Sequence, residues 1–436
     1  MSQTAPYAPA PYDRCRLLFA DQLNLARGKY VPMSEAGKGH ARLCVGTYAV
    51  TYDRTLVAAP GGGLLSGLPD MEFVFDPGAL RPGWEPGTQI ALGEIRYKGA
   101  AFPLCGRSAL KRAIARWRER GLEPMIGIEM EAYIYQRGPD GGWVPYETPG
   151  AFVYGTGPFT DPAGLVDDIW QMAARCGLPV ESINAEFDAP QFELTLRYAD
   201  ALKAADDCFL FRQMAREILY KRGYLLSFLP KPLAGKSGSG LHFNLSFNDP
   251  QGRNVFAEDA ANGAPSPTMA GAIAGLLHHH EALAGILAPL TNSYERLQPA
   301  SLSGYWANWG FDHRSVTVRV SAETGQAARI EHRMADGAAS PYFALAALLE
   351  AALMGLDHAY PLPGPETNDG LETINTDRHA PHTLAEALDA LEADTALTAA
   401  LGEELVGNYL SIKREEVRQL EGCDTDAQIA YYLHYI

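Results

Sequence analysis

Gly127-Ile128-Glu129-Met130-Glu131 lies in a largely apolar run from Ile126 to Tyr135. Read as a β-strand, the run puts alternate side chains on opposite faces, so Glu129 and Glu131 share one face a few ångströms apart. Two bare carboxylates at about 4 Å repel by roughly 4 kcal/mol at an effective dielectric near 20. A divalent cation or a basic partner relieves that repulsion. The flanking Met125, Ile126, Ile128 and Tyr133 are apolar, which predicts an interior strand. Taken alone, the pair fits a solvated strand face at least as well as a site.

Further signals lie downstream. Glu186-Phe187-Asp188-Ala189-Pro190-Gln191-Phe192-Glu193 sets two glutamates about a proline-containing bend, with Glu193 opening a strand. Lys231-Pro232 precedes Ser237-Gly238-Ser239-Gly240-Leu241-His242, where small residues allow the backbone to approach a ligand. His242 opens a strand and faces the same way as Asn244 and Ser246. Three arginine-bearing stretches follow: Asn292 to Leu297, His313 to Arg319, and Arg329 to Arg333, the last with Glu331 and Arg333 on one strand face. Arginines beside buried-looking carboxylates suit metal-bound phosphate.

Working outward, the region to about residue 105 reads as small and β-rich, with strands at Arg16–Phe19 and Arg27–Val31 and a loose Ala/Pro tail at 1–12. From 106 to 436, strands and helices alternate. Helices are predicted at Ser108–Arg120, Asp161–Cys176, Asp200–Arg222 (stopped by Gly223), Pro341–Leu356 and through most of the chain after Thr383. Strands are predicted at Ile126–Tyr135, Gln191–Arg197, Leu241–Phe247, Ser315–Val320 and Arg329–Arg333.

Two tempting motifs fail. Gly235-Lys236-Ser237 resembles the end of a phosphate loop, but the earlier glycine that the motif requires is Pro230. His278-His279-His280-Glu281 has no histidine three residues beyond Glu281, so it reads as a helix face.

Composition narrows the class. The chain has 436 residues, 47% hydrophobic and 20% charged, which fits a soluble globular enzyme and excludes a disordered chain. A formal charge of −16 disfavours nucleic acid as a partner. The most apolar run, Tyr342–Leu356, is too short to span a membrane and contains Glu350. The N-terminus lacks a basic start followed by an apolar core, so no secretory signal is expected. Six scattered cysteines without a CxxC pair argue against a disulfide framework or thiolate zinc and for a reduced, cytoplasmic protein.

In this order, the blocks Gly127–Glu131, Ala185–Glu193, Lys231–His242, Asn292–Leu297, His313–Arg319 and Glu331–Tyr342 resemble the glutamine synthetase family, most closely its γ-glutamyl-amide and γ-glutamylpolyamine synthetases. The resemblance implies an α+β fold. A β-grasp-like N-terminal domain at 13–105 would precede a larger α/β catalytic domain at 106–436 with a mainly antiparallel sheet. It implies ATP-dependent phosphorylation of the glutamate side-chain carboxylate, then attack by an amine on the γ-glutamyl phosphate. Two or more Mg²⁺ or Mn²⁺ ions are implied. Glu131, Glu186 and Glu193 would hold the one near glutamate; Glu129, His242 and Glu331 the one near the ATP phosphates. Arg296, Arg333, Gly238 and Glu131 would contact glutamate. Arg314 and Arg319, with Glu331, would serve the phosphoryl transfer. Ser246, Asn244 and Arg319 would lie on the nucleotide side. A homo-oligomer of six or twelve, with active sites between subunits, is implied as well.

The sequence also departs from the family. Ammonia-using members carry a glutamate six residues after the arginine of the Asn-Ser-Tyr block; here that position is Leu302. The aspartate-bearing loop of their N-terminal region is replaced by Cys44-Val45-Gly46-Thr47-Tyr48-Ala49. Leucine neither binds a cation nor takes its proton. The expectation is therefore an organic amine (alkylamine, polyamine, ethanolamine or aromatic amine), with Leu302, Tyr305 and Trp306, followed by Trp309, as its pocket. Ammonia, and a non-catalytic ring, are the rival readings.

Overall fold

The computed structural model describes residues 12–257 and 264–436. The tail expected at 1–12 falls, apart from Tyr12, outside the described residues.

The strand Glu123–Arg137 is the spine of a nine-stranded sheet. Its even-numbered residues from Pro124 to Ala132 are buried, and its odd-numbered ones from Glu123 to Glu131 are half-buried. This is the period-two signature of a strand with one face on the core. Gln191–Asp200 and Leu241–Asn248 flank it antiparallel on its two sides. The sheet continues beyond Leu241–Asn248 through Ile330–His332, Val318–Val320 and Trp309–Phe311. The last two strands pair parallel.

Helices Gly106–Glu119 and Ala201–Lys221 pack on the spine strand, and Pro341–His358 packs on both of them. Asp200 caps Ala201–Lys221 by accepting from the Lys203 N–H at 3.0 Å, and Gly223 ends it at φ 85°. Trp117 stacks on Phe247 with ring centroids 3.9 Å apart and donates to the Leu349 carbonyl at 3.0 Å, tying helix, sheet and second helix together. Helix Pro267–His278 also lies on Pro341–His358. A Cβ on Gly275 would sit 2.0 Å from the Ala351 carbonyl oxygen, so only glycine permits that approach.

Two four-stranded sheets precede the large one. Arg14–Ala20 pairs antiparallel with Ala26–Pro32 and parallel with Thr88–Leu92. His40–Cys44, Asp70–Val74, Glu94–Tyr97 and Ala100–Ala101 make the other. Leu17, Phe19, Met71, Phe73 and Ile95 belong to one core cluster drawn from both.

Several boundaries differ from expectation. The helix expected from Asp161 begins at Leu165. Asp161 instead accepts from the Val166 N–H at 2.7 Å and the Tyr146 hydroxyl at 2.9 Å, and Gly164 sits at φ 68°. Ser315–Val320 shortens to Val318–Val320. Strand Val180–Ala185 was not expected. The histidine run joins two helices, Pro267–His278 and His280–Leu287, and His279 Nδ1 bonds Asp394 at 2.5 Å. All six cysteines are free thiols.

Candidate active site

Sheet register decides which acidic side chains meet. Glu193 stands opposite Glu131 on one neighbouring strand, and His242 opposite Glu129 on the other. One strand further, Glu331 stands opposite both Asn244 and Arg319. Opposed residues in antiparallel pairs have Cβ atoms about 4.5–5.5 Å apart, so positions remote in sequence become neighbours.

The outcome is two triplets, Glu129–His242–Glu331 and Glu131–Glu186–Glu193, each with one ligand atom per residue within 4.8 Å of the others. His242 Nδ1 lies 3.3 Å from Glu331 Oε1 and 3.5 Å from Glu129 Oε2. Glu186 enters from the bend after Val180–Ala185, its N–H donating to the Gln191 carbonyl at 2.9 Å.

Three of the five carboxylates are fixed from behind. Asn244 Nδ2 donates to Glu129 at 2.9 Å, and the Gly240 N–H donates to Glu131 at 2.7 Å. Arg319 Nη1 donates to Glu331 at 3.0 Å, and Arg333 pairs with the other Glu331 oxygen. The Nε atoms of Arg319 and Arg333 are buried without an acceptor. Unpaired buried donors beside a cavity are what an anionic substrate would satisfy.

The charges are unevenly balanced. Burial works against the Glu129 carboxylate, but the hydrogen bond and charge of His242, helped by Asn244 and Arg333, outweigh it and hold the group at about 2. Burial and the surrounding Glu129, Glu186 and Glu131 push Glu193 up to about 8. Burial and Glu131 raise Glu186 as well. An oxygen-rich cluster that cannot stay fully ionised by itself is the donor set that a hard divalent cation such as Mg²⁺ or Mn²⁺ takes.

The small-residue loop packs against this centre. A Cβ on Gly238 would lie 2.6 Å from Arg296 Cγ, and one on Gly240 would lie 2.6 Å from His242 Nε2. Arg296 is buried and donates to the carbonyls of Met334 at 2.7 Å and Arg333 at 3.1 Å. Two residues that sequence reasoning gave no role hold the loop. Gln191 Nε2 donates to the Gly238 carbonyl at 2.9 Å, and Asp188 accepts from the Ser237 N–H at 2.6 Å.

A cavity of about 770 Å³ collects most of the expected residues. All six triplet residues line it, together with Arg296, Arg333, Arg314, Arg319, Gly238 and Leu302. Asn244 stands behind Glu129 and also accepts from Arg329 Nε at 3.1 Å. Ser246 lies one step further along the same strand face, opposite Met125.

Tyr305 and Trp306, expected at the amine pocket, are not among the residues lining the cavity. Tyr305 is buried and stacks on His379 at 5.1 Å, while Trp306 meets Tyr305 edge-on and donates to the Pro299 carbonyl at 3.2 Å. Trp309 is likewise packed inside, donating to the Pro363 carbonyl at 2.8 Å. The aromatic wall comes instead from Tyr154 and Phe187. Tyr154 sits in an irregular glycine-rich loop with no periodicity to reveal it, whereas Phe187, next to Glu186, was within reach of the sequence.

The sequence profile described as "Glutamine synthetase, catalytic domain" matches residues 103–432. The chain belongs to the glutamine synthetase family. Its relatives in the family differ in name. A "Glutamine synthetase" of Pyrococcus abyssi is 31% identical over 92% of this chain and 89% of its own length. "Gamma-glutamylputrescine synthetase PuuA" of Escherichia coli is 29% identical over 96% of this chain and 91% of its own. Among solved structures, "Apo GmaS without ligand" superposes with a TM-score of 0.82 at 27% identity, covering 96% of each chain.

Proposed function

We propose that this family ligase phosphorylates the γ-carboxylate of L-glutamate with ATP and transfers the γ-glutamyl group to an organic amine. The observation that carries this is Leu302 on the cavity wall, where a proton-taking glutamate is expected of an ammonia-using member.

A γ-carboxylate oxygen of glutamate attacks the γ-phosphorus of ATP, and ADP leaves. The amine nitrogen then attacks the acyl carbon, the C–N bond forms, and the departing phosphate takes up the amine proton. Arg296 and Arg333 grip glutamate, and the planar fork of a guanidinium suits its carboxylates. Arg314 and Arg319 stabilise the phosphoryl group in transfer. Asn244 and Ser246 lie on the nucleotide side. The two triplets would hold Mg²⁺ or Mn²⁺, which supplies neutralisation of phosphate charge when bound. Placing 13–105 as a β-grasp-like domain and 106–436 as the catalytic domain, in a cytoplasmic ring of six or twelve subunits, completes the reading.

The test is phosphate release from Mg-ATP and glutamate with ammonium, methylamine, ethylamine, ethanolamine, putrescine and aniline, with the product identified by mass. Preference for one organic amine supports the proposal. Preference for ammonium supports the second reading, a glutamine synthetase, which the name of the Pyrococcus abyssi relative favours.

A further inference from the structure

We infer that Gln191 is a positioning residue: by clamping the loop 237–240 it aims Glu131 at the cation of its triplet and seats Arg296 for glutamate. The parts given to the cation and to glutamate rest on the ligase reading above.

Gln191 opens the strand Gln191–Asp200, opposite Tyr133 and two residues before Glu193, so its side chain lies on the face that carries the triplets. Its Nε2 donates to the Gly238 carbonyl at 2.9 Å and to the Ser239 hydroxyl at 3.1 Å. A carbonyl oxygen only accepts, so the amide nitrogen and not its oxygen must face Gly238. Tyr133, across the strand pair, donates its hydroxyl to the Ser237 carbonyl at 2.9 Å. The Ser239 N–H donates to the Pro230 carbonyl at 2.8 Å. Three successive loop residues are thus fastened. Gln191 is 1% exposed and Ser239 0%, so these contacts are complete within one chain and no neighbouring subunit alters them.

Gly240 comes next in the loop. Its N–H donates to Glu131 Oε2 at 2.7 Å, and its carbonyl accepts from the Glu131 N–H at 3.0 Å. Gln191 Nε2 stands 3.5 Å from the same Oε2, at the limit of a hydrogen bond. Both donors address one oxygen, which leaves Glu131 Oε1 for the cation. At the other end of the loop, Gly238 packs on Arg296 so closely that a Cβ would meet Arg296 Cγ at 2.6 Å. A shift of the loop therefore moves a proposed metal ligand and the proposed glutamate grip together. The carboxylates of the other triplet are held elsewhere, Glu129 by Asn244 and Glu331 by Arg319 and Arg333.

The experiment uses Gln191→Met, which keeps the length of the side chain and removes its donor. Calorimetric titration with Mn²⁺, in the absence of substrates, reads the two cation sites directly. One class of site is expected to weaken about tenfold or more, and the other to change by less than about threefold. In turnover, KM for glutamate should rise by about tenfold while KM for ATP stays within about threefold. Gln191→Asn, which keeps the amide but draws it back by one methylene, is the milder variant and should show the same split. Both classes of site unchanged, or both weakened alike, overturns the inference with either variant. A parent protein that releases no phosphate with glutamate and any amine overturns the ligase reading instead, and the Mn²⁺ titration still decides the role of Gln191.

Discussion

Glu331 is the busiest residue of the site, since it shares a triplet with Glu129 and His242 while pairing with both Arg319 and Arg333. Glu331→Ala removes a proposed metal ligand and leaves two guanidinium groups without their carboxylate. The expected loss in kcat is roughly 10³-fold, measured by phosphate release with Mg-ATP and glutamate saturating. Gly238→Ala acts differently. Its methyl would meet Arg296 Cγ and Cδ at 2.6 and 2.9 Å and the Pro230 carbonyl oxygen at 2.9 Å. The guanidinium must shift, so KM for glutamate should rise about tenfold or more while KM for ATP changes far less. Glu129 and Glu131 stood out in the sequence as an acidic pair at strand spacing, whereas grouping them with Glu186, Glu193, His242 and Glu331 came from the resemblance to the family. The aromatic wall was not legible: Tyr154 owes its place to a loop bonded to Ala185, and Tyr305 turned inward because it found His379 to stack on.

Long elements with a clear period and caps were the readable ones. Glu123–Arg137 and Ala201–Lys221 are found close to where the pattern of apolar residues puts them. The paired helices Pro267–His278 and His280–Leu287 are apolar nearly all round and therefore lack a polar face to mark their phase. Helix Pro341–His358 carries a testable charge. Burial pushes Glu350 up from 4.5 to about 7, against the opposing pull of Arg116 and Arg112. A carboxyl with a raised folded-state pKa binds its proton more tightly folded than unfolded. Its protonated form favours folding below pH 4.5, and that contribution is lost as pH rises to about 7, by up to about 3 kcal/mol. Glu350→Gln should therefore gain stability relative to the parent between pH 5 and pH 8, read as the difference in urea midpoints. A difference that is constant with pH would show that Arg116 keeps Glu350 ionised throughout.

At the scale of the molecule, the sheet register brings widely separated sequence blocks to one cavity, and the two triplets gathered there are the groups that would hold a divalent cation. Mg²⁺ at about 100 times its dissociation constant should stabilise the protein by about 2.7 kcal/mol, and EDTA should reverse the rise in Tm. Glu129→Gln should weaken that response. The ring reading predicts a particle of six or twelve 47.3 kDa chains by light scattering. Under the proposed function, the amine sets the pH profile of the whole reaction. With Leu302 unable to take a proton, the neutral amine is the reactive form, so kcat/KM should rise by about tenfold per pH unit below the amine's own pKa.

A competition in one vessel, with ammonium and n-butylamine at equal concentrations, Mg-ATP and glutamate, decides between the organic amine and ammonia. The ratio of γ-glutamylbutylamide to glutamine, read by mass, equals the ratio of the two kcat/KM values. The butylamide is expected to predominate by about tenfold or more. Glutamine as the main product would contradict it.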